Sequence, residues 1–131
     1  MYAKGAFVRE SHRHFSHALA IYPLRQISGK TPQEKACIDR TIAQLESLGT
    51  SQWVGFSFVW FALLKIVQRD AEGAVQALHQ FYHAFLSPNG FHLNGDFRKT
   101  GLSEFQYRPF TLEANCLSVQ AVNEMLLYSQ N

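Results

Sequence analysis

The spacing of apolar residues predicts a first long helix over residues 32–48. Apolar side chains recur there three and four positions apart, which places them on one stripe of a helix. The segment TPQE (residues 31–34) is typical of a capping box with proline in the first turn, and Gly49 is typical of a helix end. The stripe consists of Cys37, Ile38, Ile42, Leu45 and Leu48.

The next stretch, QWVGFSFVWFALLKIVQRD, is apolar on nearly every side from Phe56 to Val67. This pattern favours a helix that is buried all round, although its aromatic and β-branched residues are also compatible with a strand. Asp70 and Gly73 then indicate a break or a tight join to another helix. Three- and four-residue spacing in that helix aligns Ala74, Val75, Leu78, Phe81, Tyr82 and Phe85.

A final helix is predicted from Glu113 to about Ser129. Near the other end, the histidine-rich residues 10–17 lead into HALAIYPL, a short apolar helix or turn that Pro23 should stop. Together these elements predict an all-α fold of antiparallel helical hairpins in a single domain, residues 1–131. The buried stripe of the final helix is expected to contain Leu117, Ala121, Val122, Met125 and Leu126.

One long loop, from about residue 87 to residue 112, precedes the final helix. Loops beyond about 12–15 residues are uncommon in compact domains and tend to be functional or disordered. Aromatic side chains need somewhere to pack, so their number here argues against disorder. With its asparagines and glycines as well, the loop is predicted to fold over a pocket. The aromatic residues are Phe91, Phe97, Phe105, Tyr107 and Phe110.

Composition and charge narrow the classes of function. Of the 131 residues, 47% are hydrophobic and 14% are aromatic, which suits one domain with a hydrophobic core. A net charge of +2, evenly spread, predicts neither a nucleic-acid partner nor a polybasic membrane contact. No apolar run is long enough to span a bilayer, and residues 1–15 do not resemble an export signal, which leaves the compartment open.

The histidine-rich segment offers the first candidate chemistry. His12, His14 and His17 could ligate zinc, but their spacing matches no standard finger, and Cys37 and Cys116 are expected to be buried thiols rather than ligands. The alternatives are hydrogen bonds to loop carbonyl groups or contact with a ligand. Arg13 between two imidazoles would suit a ligand rich in hydroxyl groups. Neither a metal nor a cofactor is predicted.

Two further groups have both a structural and a binding interpretation. Trp53, at a helix entrance, could stack on the C–H face of a sugar ring, and packing in the core explains it equally well. Trp60, inside the apolar stretch, is expected in the core. Asn94 and Asp96 flank a glycine, and taken alone that pattern favours turn formation.

Glu113 stands where the long loop becomes the final helix. A carboxylate at a helix start gains about 0.3–1 kcal/mol from the helix dipole and the free N–H groups. The same setting favours the ionised form, which suits a general base or an electrostatic partner but not a proton donor. Capping and catalysis are therefore compatible roles for this residue.

Four segments, taken in order, resemble glycoside hydrolase family 95: ESHRHFSHALAIYPL, WVGFSFVWFALL, NGFHLNGDFRKTG and FQYRPFTLEANCLSVQAVNEMLLYS. That family contains α-L-fucosidases and related α-L-galactosidases built on an (α/α)6 barrel of helical hairpins. The resemblance implies inverting hydrolysis of a terminal α-L-fucosyl or similar linkage, and hence a fucosylated or galactosylated glycan as partner. Inversion uses a general acid and a base-activated water, with the two carboxyl groups about 6.5–9.5 Å apart.

The resemblance also implies roles for particular residues. Glu113 matches the family carboxylate that helps to activate the water, and Arg13 and His14 match the pair that contacts the sugar. His12 and Asn115 lie beside matched positions. Apart from the resemblance, the residues themselves add Trp53 and Asn94 to the expected substrate contacts. Many members have aspartate at the position of Glu113 and glycine at that of Ala114.

The family's general acid and its asparagine pair belong to upstream segments. The chain is therefore expected to be the C-terminal part of a catalytic barrel, with little or no activity alone. One alternative is a non-catalytic helical module that binds carbohydrate or another partner, and another is a small metal-binding protein that uses the three histidines. The helix around Trp60 is apolar on all faces, so we expect self-association through it if neighbouring hairpins are absent.

Overall fold

A computed structural model describes residues 8–127 of the chain. The elements are a 3-10 turn, Ser16–Ala18, and four helices: α1 (Pro32–Leu48), α2 (Gly55–Gln68), α3 (Ala71–Phe85) and α4 (Glu113–Leu127). No strand occurs within the described range, where the loop between α3 and α4 contains two isolated antiparallel bridges. The all-α prediction is confirmed. The expected continuation of the last helix to Ser129 lies outside the described residues.

Helix α1 begins and ends where the sequence indicates. The hydroxyl oxygen of Thr31 accepts a hydrogen bond of 3.1 Å from the backbone N–H of Glu34, and Gly49 follows the last helical residue at φ 74°. The Glu34 carboxylate has a different role from the one in a capping box. One of its oxygens accepts from the backbone N–H groups of Ser28, Gly29 and Lys30, so it holds the preceding loop against the helix.

Helix α2 is the centre of the core. Every residue from Phe58 to Val67 is at most 8% exposed. Helices α1, α3 and α4 all contact α2. From the N-terminal segment, the ring of Phe15 packs against Trp60, and the carbonyl oxygen of Tyr22 accepts from Trp60 Nε1. The expectation that this helix leaves an apolar face in water, on which the predicted self-association rested, is wrong, because the chain itself surrounds the helix.

Lys65 is the one charged residue of α2, and it links three helices. Its Nζ lies 2.6 Å from a carboxylate oxygen of Glu46 on α1 and 3.1 Å from one of Asp70, the residue before α3. The other Asp70 oxygen accepts from the N–H of Gly73, which caps α3. Burial opposes the charged form of Lys65, but the two carboxylates outweigh it and raise its pKa.

Helices α3 and α4 each bury one face against α2. On α4 the buried residues are small, namely Ala114, Ser118 and Ala121, which allows close approach to α2. Four residues that the spacing predicts to be inward are exposed instead: Val75, Tyr82, Val122 and Leu126. The prediction is wrong for them because both helices carry more apolar residues than one buried face accommodates. The Cys116 thiol, also expected inside, is exposed.

Candidate functional site

Glu113 is the first residue of α4 and is exposed to solvent. The start of this helix is well formed, since the N–H of Cys116 donates to the carbonyl oxygen of Leu112 at 3.1 Å. The carboxylate therefore lies at the positive end of the helix dipole. This is the location that the sequence predicts, and it is open to a ligand or a water molecule.

His92 connects the long loop to the start of α4. Its backbone N–H donates to Asn115 Oδ1 at 2.8 Å, and its carbonyl oxygen accepts from the N–H of Thr111 at 3.1 Å. Its ring Nδ1 lies 2.7 Å from the hydroxyl oxygen of Thr111. Sequence reasoning missed His92, because nothing local indicates a partner nineteen positions away.

The His92 ring is fully buried and lies 5.4 Å, between centroids, from the ring of Phe81. Burial lowers the pKa of His92 to about 4, and the nearby negative charge of Glu113 opposes this shift. The imidazole is therefore neutral near pH 7.

The amide of Asn115 is engaged at both ends by the loop. While its oxygen accepts from His92, its Nδ2 donates to the carbonyl oxygen of Gly90 at 2.8 Å. Asn115 therefore fixes the loop against α4, a structural use that the expected sugar contact did not anticipate.

Asn94 lies next along the loop and joins it to α2. Its backbone N–H donates to Pro109, and its carbonyl oxygen accepts from the N–H of Gly55, the first residue of α2. The side-chain Nδ2 lies 3.5 Å from the hydroxyl of Tyr107, and the buried Oδ1 has no hydrogen-bond partner among residues 8–127.

Asp96 organises the turn after Asn94. Its completely buried carboxylate accepts hydrogen bonds from the hydroxyl of Thr100 and from the backbone N–H groups of Thr100, Gly101 and Leu102. Burial alone would raise the pKa of Asp96, but these donors outweigh it and lower the pKa. Asp96 is thus a turn residue and not a ligand contact.

The segment around Arg13 lies at the first turn of α2. The hydroxyl of Ser57 donates to the carbonyl oxygen of Arg13 at 2.8 Å and accepts from the N–H of Val54 at 3.1 Å. The side chains of His12, Arg13 and His14 are exposed, and the N–H of His14 donates to His12 Nδ1. Burial, together with the charges of Arg13 and His12, lowers the pKa of His14.

A polar cleft of about 410 Å³ lies beside this segment, and its lining includes Glu10, His12, Arg13, Gln52 and Phe105. A second cavity, of about 10 Å³, is lined in part by His12 and His14. Glu113 lines neither of them. The two segments are thus anchored to the same end of α2, the Arg13 segment through Ser57 and the loop through Gly55, without sharing either cavity.

Trp53 belongs to the core. It is 3% exposed, and its ring lies 5.0–5.1 Å, between centroids, from the rings of Phe15, Phe58 and Phe61. The interpretation of Trp53 as a residue that stacks on a sugar is therefore wrong, because other aromatic side chains already cover its ring.

The histidines do not assemble a metal site. Within the part of the chain that the structure describes, no three His, Cys, Asp or Glu side chains are grouped so as to hold a metal ion. In the same range, no helix has the length and apolar character needed to cross a bilayer.

The comparison with known families agrees with the resemblance in the sequence. The model of the glycosyl hydrolase family 95 catalytic domain matches residues 5–126, which assigns the protein to the glycoside hydrolases. More narrowly, the chain belongs to glycosyl hydrolase family 95. Its helices are consistent with part of an (α/α)6 barrel. None of the curated proteins or solved structures compared with the chain matches it.

Proposed function

We propose that the chain supplies the water-activating carboxylate and part of the sugar-binding surface of an inverting glycoside hydrolase. Its substrates are glycans with terminal α-L-fucosyl or α-L-galactosyl residues. The observation that carries this proposal is the family match across residues 5–126. The exposed position of Glu113 at the start of α4 supports it.

Glu113 takes the role of general base. Its carboxylate is exposed at the start of α4, where it can accept a proton from a water molecule. As the proton leaves, the water oxygen bonds to the anomeric carbon and the bond to the leaving oxygen breaks. A general acid about 6.5–9.5 Å away protonates that oxygen. We assign this acid to another segment of the family's catalytic domain.

Arg13 and His12 take the role of sugar contacts at the cleft of about 410 Å³, and His14, which lines the cavity of about 10 Å³, is a third contact. The guanidinium of Arg13 offers fixed donors, and His14, whose pKa is lowered, is neutral near pH 7 and can both donate and accept. Asn94 is a further proposed contact, because the residue is half-buried and its Nδ2, at 3.5 Å from the hydroxyl of Tyr107, could donate to a sugar hydroxyl.

The chain alone is expected to hydrolyse little substrate, because each member of an acid–base pair typically contributes about 10²–10⁴-fold to the rate. Binding is therefore the sharper test. An iminosugar of the α-L-fuco configuration, titrated into the chain and followed by NMR, should shift the amide signals of Glu113, Arg13 and His14. Glu113→Gln should weaken this binding about tenfold or more, because it removes the carboxylate that attracts the cationic ring nitrogen.

Glu72→Gln is the matched control, since Glu72 is also an exposed acid in the first turn of a helix, α3. It should leave the affinity unchanged. A folded chain with no shift at either segment would overturn the proposal. If Glu113→Gln leaves the affinity for the iminosugar unchanged and the chain does not hydrolyse an aryl α-L-fucoside, the catalytic role is overturned. That result would favour a carbohydrate-binding module.

A further inference from the structure

The residues on either side of Glu113 are both held by His92. Thr111, two positions before Glu113, bonds to His92 through its backbone N–H and its hydroxyl. Asn115, two positions after, accepts from the His92 N–H. These three hydrogen bonds bracket the turn that carries the carboxylate, so they determine where the Glu113 side chain starts.

The His92 ring has little freedom to move. It is fully buried against Phe81, and on another side it faces Gly55, where an added Cβ would lie 2.2 Å from Nε2 and 3.0 Å from the Cβ of Phe85. The absence of a side chain at Gly55 thus provides the space that the imidazole occupies. Because the ring is held this closely, the hydroxyl group of Thr111 that bonds to it is also held in one position.

Packing alone does not account for an imidazole at this position. Nε2 is buried without a hydrogen-bond partner in residues 8–127, and an apolar side chain of similar shape would avoid the cost of that unsatisfied atom. What an apolar side chain would lack is the bond from Nδ1 to Thr111. The polar contact of the ring is therefore directed at the start of α4.

We infer that His92 is a positioning residue for Glu113: its ring, seated against Gly55, holds Thr111 and with it the turn that aims the carboxylate. The inference rests on the proposed function for the role of Glu113 as base. A base must lie within about 2.6–3.2 Å of the water it deprotonates, so a small rotation of this turn would remove it from reach.

The lowered pKa of His92 agrees with this role. A neutral ring holds Thr111 through a hydrogen bond and adds no positive charge beside Glu113, whose own charge the water-activating step requires. The carboxylate is thereby free to accept a proton from water instead of forming an ion pair with the imidazole.

Three variants separate positioning from general stability. His92→Leu fills space without a polar group, whereas the amide of His92→Asn can approach the location of Nδ1 and restore the bond to Thr111. Thr111→Val removes the same bond from the other side and leaves the buried ring in place. His83→Asn, at an exposed histidine of α3, is the control.

Hydrogen exchange measured by NMR is the primary readout, because it requires no activity. His92→Leu and Thr111→Val should each speed exchange of the Cys116 amide at least about tenfold relative to amides in the second half of α4. His92→Asn should restore most of the protection. In the double variant of His92→Leu and Thr111→Val, the Cys116 amide should exchange no faster than in either single variant, because both substitutions remove the same hydrogen bond.

Affinity for the fuco-configured iminosugar is the second readout, and it should fall about tenfold in the same two variants and recover in His92→Asn. Uniform loss of protection along the chain, or no rescue by asparagine, would overturn the inference. If the parent chain binds no iminosugar, the proposed function fails, yet local exchange at Cys116 still decides whether His92 holds the turn.

Discussion

Helices α2 and α4 are both apolar and of similar length, 14 and 15 residues, yet α2 is buried on all sides and α4 on one face only. Three other helices contact α2, and it is buried from Phe58 to Val67. Helix α4 packs on α2 with one face, while Val119 and Leu126 on its other face are 62% and 76% exposed. Apolar composition therefore specifies that a helix needs neighbours, but not which faces they cover.

The side chains on the two faces of α4 explain the difference. The face toward α2 carries alanine and serine at three- and four-residue spacing, which lets the backbones approach. The larger apolar residues form a second stripe on the outside of α4, at Val119, Val122 and Leu126, and the exposed Leu112 lies just before the helix. We therefore expect self-association of the chain to involve this α4 stripe and not α2.

The largest expected effect comes from truncating a ring of α2. Phe58→Ala should lower the free energy of unfolding by about 3–5 kcal/mol, because the fully buried ring contacts Trp53 and Phe85 and its loss leaves a cavity. Urea unfolding followed by circular dichroism measures the change. Val119→Ala on α4 is the comparison, and equal losses in the two variants would contradict the contrast between the helices.

A smaller effect is expected at the single charge of α2. Lys65→Met keeps the buried stem but removes the ion pairs to Glu46 and Asp70, and it should cost about 1 kcal/mol at pH 7. Lys35→Met, at an exposed lysine of α1, should cost much less.

The effect of Lys65→Met should depend on pH. The N–H of Gly73 and the charge of Lys65 lower the pKa of Asp70, so its contribution is complete above its ordinary pKa, about 4, and is lost as the pH falls through the lower folded value. The pKa of Lys65 is raised, so its contribution persists until the pH rises past about 10. Urea titrations of both variants from pH 3 to pH 7 check this, and a difference constant down to pH 3 would contradict it.

The smallest change in stability should come from the outer stripe of α4. Val119→Ser with Leu126→Ser should alter the free energy of unfolding by no more than about 0.5 kcal/mol, since both side chains are exposed. The same pair should reduce self-association in sedimentation velocity. Val75→Ser with Tyr82→Ser on α3 is the control, and a larger effect from this pair would assign the contact to α3.

The sequence predicts the helices well, because caps and periodicity are local. Thr31, Gly49 and Asp70 mark boundaries at which the structure places them. The inward faces of α3 and α4 are harder to predict, because Val75 and Leu126 satisfy the apolar period and only the arrangement of neighbouring helices decides their exposure.

The candidate site divides in the same way. Glu113 is predictable from its place at the junction of loop and helix, and Arg13 and His14 from their resemblance to family motifs. His92 is not predictable, since its role depends on Thr111, reached only after the loop has turned back, and on the space left by Gly55. Contacts between residues distant in sequence carry no local signature.

One turn of the long loop is held by a single side chain, the carboxylate of Asp96. One carboxylate gathers four donors from Thr100, Gly101 and Leu102, so the conformation of these residues depends on whether a single proton is bound. Because the pKa of Asp96 is lowered, these hydrogen bonds persist through the neutral range and are lost as the pH falls below the ordinary pKa of an aspartate, about 4. Acidification should therefore release the segment from Thr100 to Leu102 from the carboxylate that holds it.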